Sequence, residues 1–210
     1  MNYSKQVGKD HYSGISYRSK DRWFSYWHQI GMVRKIAPEQ MLEIGVGDGV
    51  VARELAHDGI KVTTLDIAAE LNPDVVGSVT ELPFGDNSFD TVLAAEILEH
   101  IRFEDVPRAL SEIARVARTH IIITLPHPGY VFSFTYKIPL FPRFEFLIQI
   151  PFFWKRHIFN GEHYWELGKR GYPLRRFLQY ARDAGLNLVE CEKYADDPAH
   201  RFFLFSLNKT

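Results

Sequence analysis

Three glycines at alternate positions close an apolar run at Glu43-Ile44-Gly45-Val46-Gly47-Asp48-Gly49, and a second apolar run ends seventeen residues later in Leu65-Asp66-Ile67. Few folds need that combination. Glycine tolerates positive φ, and without a Cβ it lets the main chain lie against a ligand that any side chain would displace. Turn chemistry alone rarely demands three such residues next to a strand-end acid. The two features predict a strand that turns sharply into a helix, with the carboxylate of a neighbouring parallel strand beside the turn. That is the ligand crevice of a doubly wound sheet, and the acid there accepts hydrogen bonds from a ribose diol.

The rest of the chain supplies the sheet. Short apolar runs at 41–46, 60–67, 74–76, 89–95, 119–125, 186–191 and 202–207 read as strands. Between them Val50, Val51, Leu55 and Ala56 share a helical face, as do Phe103, Val106, Leu110, Ile113 and Ala117, and then Leu174, Phe177, Leu178 and Ala181. Strand alternating with helix predicts an α/β, Rossmann-like, doubly wound sheet of seven strands, mostly parallel and covered on both faces. The last two runs are joined without a helix, which predicts an antiparallel strand at the sheet edge. Ahead of the sheet, Trp23, Trp27, Ile30 and Val33 recur at helical spacing up to Pro38 and predict a helix, packed on the sheet edge or serving as a lid over a ligand. Residues 1–18 have no period and read as an arm that is mobile unless it docks. The division is therefore an arm and helix over 1–37 and a main domain over 38–210, with an insertion over 127–171.

At 210 residues the chain suits one domain, and 46% hydrophobic residues provide for its core. The net charge of −1 gives no overall footprint for nucleic acid. A lone Cys191 and the absence of a basic-then-apolar leader in the opening residues predict a reduced, cytoplasmic setting.

The spacing of the glycines narrows the ligand. A dinucleotide fingerprint, G-x-G-x-x-G, would need glycine where Val50 stands. The frame is E-x-G-x-G-x-G, and Glu43 brings a negative charge that suits a cationic ligand such as a sulfonium better than a diphosphate. An NAD-dependent oxidoreductase stays open as an alternative, as does a protein that binds the cofactor without catalysis. In these residues the chain resembles the class I S-adenosylmethionine-dependent methyltransferases of the small-molecule type, strongly over 38–126 and loosely over 172–208. Glu81-Leu82-Pro83-Phe84, Asp86 to Asp90 and Ala95 to His100 add to the likeness. The resemblance implies S-adenosyl-L-methionine as cofactor, held by Glu43, Gly45, Val46, Gly47, Gly49 and Glu96, with Asp66 on the ribose. Ile67, Ser78 and Val79 would border the adenine. Many relatives carry Asp at the position of Ser78, so backbone groups would have to replace that contact.

Methyl transfer to an oxygen or nitrogen needs a base, and His100, His127 and His163 are the candidates. Glu96-x-x-Glu99-His100 is similar to the metal-binding segment of ubiquinone-type O-methyltransferases and small-RNA 2'-O-methyltransferases. The same letters occur in metal-free relatives, where the acids cap a helix or sit beside the cofactor, and no metal is the expectation here. Residues 127–171 concentrate Phe and Trp but never reach the roughly 20 continuous apolar residues of a membrane span. A lid over a small-molecule or lipid-like acceptor, a peripheral membrane contact and a homodimer interface all fit that composition. Gly161 to Gly168, with Glu162, His163, Tyr164 and Trp165, is expected to face the methyl group.

Overall fold

Consecutive apolar residues in a strand point to opposite faces and require cover on both, and Met41, Leu42 and Ile44 are buried accordingly. The computed structural model describes residues 3, 5, 6, 8–14, 17 and 19–207. A short helix α1 (Lys9–Ser13) precedes α2 (Lys20–Ile36). Strand and helix then alternate through β1 (Gln40–Ile44), α3 (Val50–His57), β2 (Lys61–Asp66), β3 (Val75–Val76), β4 (Phe89–Ala95), α4 (Val106–Val116) and β5 (Ala117–Pro126). After β6 (Gly129–Lys137) and β7 (Arg143–Pro151) come α5 (Leu174–Asp183), β8 (Leu186–Tyr194) and β9 (Asp197–Leu207).

The seven-stranded sheet runs β3-β2-β1-β4-β5-β9-β8, parallel from β3 to β5. β9 is antiparallel to both β5 and β8. The antiparallel strand therefore lies one place in from the edge, because the tight turn out of β8 folds β9 back against β5. Tyr26, Ile30 and Val33 of α2 and Val51 and Leu55 of α3 cover one face over Met41, Leu93 and Ile122. Leu110 and Ile113 of α4 and Phe177 of α5 cover the other over Leu42, Val92 and Phe203.

One further detail differs from the sequence expectation. Trp23 and Trp27 are exposed, while Tyr26, Ile30 and Val33 make the buried stripe of α2. Trp27 stands off that stripe, and Trp23 lies in the first helical turn, edge-on to Tyr26. Of the arm, residues 1, 2, 4, 7, 15, 16 and 18 lie outside the described residues. Its described part docks: Tyr3 donates to Asp105, and the Gln6 amide donates to the His100 carbonyl at 3.1 Å.

The insertion after β5 is a two-stranded antiparallel ribbon. Its register sets Tyr130 opposite Ile150, Phe132 opposite Ile148, Phe134 opposite Phe146 and Tyr136 opposite Phe144. Residues directly opposite share a face of an antiparallel pair, so these four pairs make one continuous apolar face, and its side chains are exposed. The other face carries Val131 opposite Gln149, Ser133 opposite Leu147, Thr135 opposite Glu145 and Lys137 opposite Arg143.

Candidate active site

The carboxyl ends of β1, β2 and β4 open onto a cavity of about 280 Å3. Gly45, Gly47 and Gly49 hold φ of 85°, 54° and 70°, the left-handed region that penalises a Cβ. At Gly45 an added Cβ would also meet Ile97 Cδ1 at 2.0 Å. Gly45, Val46 and Gly47 line the cavity, whereas Gly49 sits outside its lining and caps the start of α3.

Asp66 Oδ2 accepts from the Val46 amide at 3.0 Å and Oδ1 from the Ala68 amide at 2.8 Å. The acid at the end of β2 thus ties the glycine turn to its own loop. A carboxylate offers about four acceptor sites, so capacity remains for a ligand. Burial raises its pKa above the ordinary value, against the pull of those amides. Glu43, in β1 at the cavity wall, is buried and its Oε2 has no hydrogen-bond partner. Burial first, and then Asp48, push its pKa up to about 8. A buried carboxyl with unused acceptor capacity is a receptor for a cation or an N–H donor. Ile67, Ser78 and Val79 line the same cavity, with the Ser78 hydroxyl 2.9 Å from that of Thr80.

Glu96 also lines the cavity, at a φ of 55° that a non-glycine residue seldom adopts. Its Oε1 accepts from the Thr124 hydroxyl at 2.8 Å, and its Oε2 is 3.4 Å from His200 Nε2. His200 Nδ1 lies 2.6 Å from Asp197 Oδ1. Burial alone would depress the His200 pKa, but Glu96 and Asp197 outweigh it and lift it to about 9. An imidazolium therefore faces the cavity at neutral pH. Sequence reasoning missed His200, because only the placement of β9 beside β5 brings it to Glu96.

Two of the three candidate bases meet at the cavity. The rings of His100 and His163 pack edge-on at 5.1 Å. His100 Nδ1 is 2.6 Å from Gln6 Oε1 and 3.1 Å from the Glu162 carbonyl. Both partners accept, so the proton sits on Nδ1 and Nε2 keeps its lone pair. Burial and then His163 lower the His100 pKa to about 4, which leaves it neutral at pH 7. His163 Nδ1 is 3.3 Å from Glu166 Oε1. His127 lies outside the cavity lining, buried against Gly168, with burial, Lys193 and Arg201 lowering its pKa to about 3. Glu99, His100 and His163 each place one ligand atom within 4.8 Å of the others. Glu99 is fully buried behind the wall, and burial and Glu96 hold its pKa well above the carboxylate range.

From 161–168, Glu162 and His163 reach the cavity, while Trp165 and Leu167 are core. Trp165 Nε1 donates to the carbonyls of Leu98 at 3.0 Å and Ile101 at 3.2 Å, which pins this segment to the cavity wall. Tyr12 and Tyr17 of the arm, which carry no motif, stand over the turn: the Tyr17 hydroxyl lies 3.3 Å from where a Gly47 Cβ would be. Arg22 covers the Tyr17 ring at 4.4 Å, and the Tyr26 hydroxyl donates to Asp48 at 3.0 Å.

Residues 42–123 match the profile of a family described as a methyltransferase domain. The magnesium-protoporphyrin O-methyltransferase of Rhodobacter capsulatus is 29% identical over 119 residues, 50% of this chain and 53% of that protein. The demethylmenaquinone methyltransferase of Beutenbergia cavernae is 33% identical over 90 residues, 38% of this chain and 37% of that protein. The chain thus spans about half the length, or less, of these curated relatives. Among solved structures, a TehB-like SAM-dependent methyltransferase from Corynebacterium glutamicum shares the fold at a TM-score of 0.59 and 15% identity, over 96% of this chain and 100% of that one. The Burkholderia thailandensis 1,6-didemethyltoxoflavin-N1-methyltransferase, solved with its substrate and S-adenosylhomocysteine, aligns at 0.58 and 14% identity, over 99% and 94%.

Proposed function

We propose that this chain, a member of the methyltransferase-domain family through residues 42–123, is an S-adenosyl-L-methionine-dependent enzyme that methylates an oxygen or nitrogen of a small or lipid-like acceptor. The observation that carries the reading is the buried Glu43 carboxyl, whose Oε2 has no hydrogen-bond partner among the described residues, beside a glycine turn and the strand-end Asp66. When bound, the cofactor supplies a methyl group already activated for displacement.

The residues then have separable tasks. Gly45 and Gly47 leave room for the amino-acid portion, and Glu43 receives positive charge. Asp66 takes the ribose hydroxyls with its remaining lone pairs, and Ile67, Ser78 and Val79 border the adenine. Tyr12 and Tyr17 keep water out. Glu96, held by Thr124 and His200, shapes the wall next to the acceptor. His100 takes the acceptor's proton at Nε2, its tautomer fixed by Gln6 and the Glu162 carbonyl. His163 is the second base, and His127 has no part. Alignment of the reacting groups supplies about 7–11 kcal/mol of the barrier reduction, and the reading requires no metal. A stoichiometric divalent ion retained through a chelator wash would overturn that part.

The same reading places the chain in the cytoplasm, away from nucleic acid, with a membrane surface or a second copy meeting the ribbon. Among the described residues no helix is long and apolar enough to cross a membrane. The test is calorimetric titration with S-adenosylhomocysteine and with NAD, followed by labelled methyl donor offered with lipid and polar cell extracts. Heat with NAD alone would sink the reading. Binding without transfer to any fraction would leave a non-catalytic cofactor-binding protein.

A further inference from the structure

The β6–β7 ribbon presents an apolar face that none of the described residues covers. Beyond its root it projects from the domain, for Ser133, Thr135 and Glu145 on the opposite face are exposed as well. Nine extended residues in each strand span about 30 Å. The tip, Ile138-Pro139-Leu140-Phe141-Pro142, has no polar side chain, and Leu140 is fully exposed. Continuous exposed apolar surface on this scale marks a docking site.

We propose that the ribbon docks on an anionic lipid surface. Charge favours this occupant. Residues 127–171 hold six Lys and Arg against three Glu, a net +3 in a chain of net −1, so the remainder carries −4. No charged residue lies among the four apolar pairs, while Lys137 and Arg143 pair beside the tip, one register position past Tyr136 and Phe144 and so on the other face, and Lys155, Arg156 and Arg170 follow the root. An apolar face bordered by long cations suits the boundary between acyl chains and anionic headgroups. At the root Tyr130, Phe152 and Trp154 pack together, with centroids of 5.1 Å from Tyr130 to Phe152 and 5.8 Å from Phe152 to Trp154. Tyr and Trp are the residues that settle at the headgroup level. A second copy laid on the flat face would leave the apolar tip in water, whereas a bilayer takes both.

The ribbon is also continuous with the cavity. Pro126, just before it, and Glu162 and His163, just after it, line that cavity. Docking therefore brings the cavity's acceptor end beside the lipid. The inference does not rest on the methyl-transfer reading, since vesicle binding is measured without cofactor.

Co-sedimentation of the full chain with vesicles tests it, using phosphatidylcholine alone and mixed with phosphatidylglycerol. Binding to the anionic vesicles is expected, weaker on the neutral ones and reduced by salt. The double substitution Leu140→Ser, Phe141→Ser should lower the partition coefficient by about tenfold or more, with an unchanged melting temperature. A Phe134→Ser, Phe146→Ser pair should do the same without touching the tip. Wild-type chain that stays in the supernatant, or variants that bind as well as wild type, would overturn the proposal. Absence of vesicle binding together with a dimer that these variants dissociate in sedimentation equilibrium would assign the face to a second copy instead.

Discussion

The cavity and the ribbon leave the same end of the sheet, and both are rich in apolar and aromatic residues, yet their side chains meet opposite fates. Around the cavity, strands β1, β2, β4 and β5 lie between helices, and a Phe such as Phe203 in neighbouring β9 is completely buried. In the ribbon only two strands pair, no helix among the described residues crosses them, and Phe134 is 61% exposed. The difference teaches that the number of covering layers, rather than residue type, decides whether an aromatic stabilises the fold. In the sheet such residues hold the domain together. In the ribbon they remain available to something outside it.

The largest effect should come from the core. Phe203→Ala is expected to cost about 3–5 kcal/mol, the usual price of a large cavity in a packed interior, read from urea unfolding midpoints. A loss below about 1 kcal/mol would erase the contrast between the two regions.

Next is the site. Asp66→Ala should weaken S-adenosylhomocysteine binding by about 1.5–3 kcal/mol, the worth of hydrogen bonds to a charged group. The Val46 and Ala68 amides also lose their acceptor, so Asp66→Asn should recover part of the loss by keeping one oxygen. Calorimetry showing no change for either variant would mean that the ribose lies elsewhere.

How much of this was legible follows the same division. The glycine turn, Asp66 and the parallel character of the sheet were readable because each is local: a positive φ demands glycine, and an alternation of strand and helix demands a parallel sheet. His100 and His163 were visible as residue types but not as a pair, since long-range contacts such as those of Trp165 and the Tyr164 and Leu167 amides return the segment 161–168 to the cavity. His200 and the arm tyrosines carried no local signal, because their positions come from strand order and from docking. The ribbon did leave a signal. Tyr130, Phe132, Phe134 and Tyr136 alternate with a period of two, but prolines and charges around them masked a strand with one apolar face.

Glu43 gives a smaller, pH-dependent effect. Its folded pKa of about 8 exceeds the ordinary carboxylate value, so between the two the fold binds a proton that the unfolded chain does not. Stability of the ligand-free protein should therefore fall as pH rises across that window. Ligand binding should go the other way. A cation beside Glu43 favours the ionised form, so binding releases a proton below pH 8, and affinity should climb by up to about tenfold per pH unit before levelling off above it. Titrations in buffers of different ionisation enthalpy count that proton. Glu43→Gln should abolish the rise in affinity and reduce the fall in stability, to which His200 and Glu99, whose pKa values are also raised, contribute as well; an affinity trend that persists would assign the titration to another group.

The smallest effect is the most diagnostic of the contrast. Phe134→Ser removes an aromatic of the same size as Phe203, but its ring faces water on one side and Phe146 across the strand, so only a cross-strand pair of about 0.2–1 kcal/mol is lost. Urea unfolding of the dilute chain, without lipid, should detect little change. A loss close to that of Phe203→Ala would mean that the apolar face is already covered in the free protein. Where a second copy is that cover, the unfolding midpoint of the wild type would rise with protein concentration. A midpoint independent of concentration, together with a small loss, leaves the face uncovered until a partner of another kind arrives.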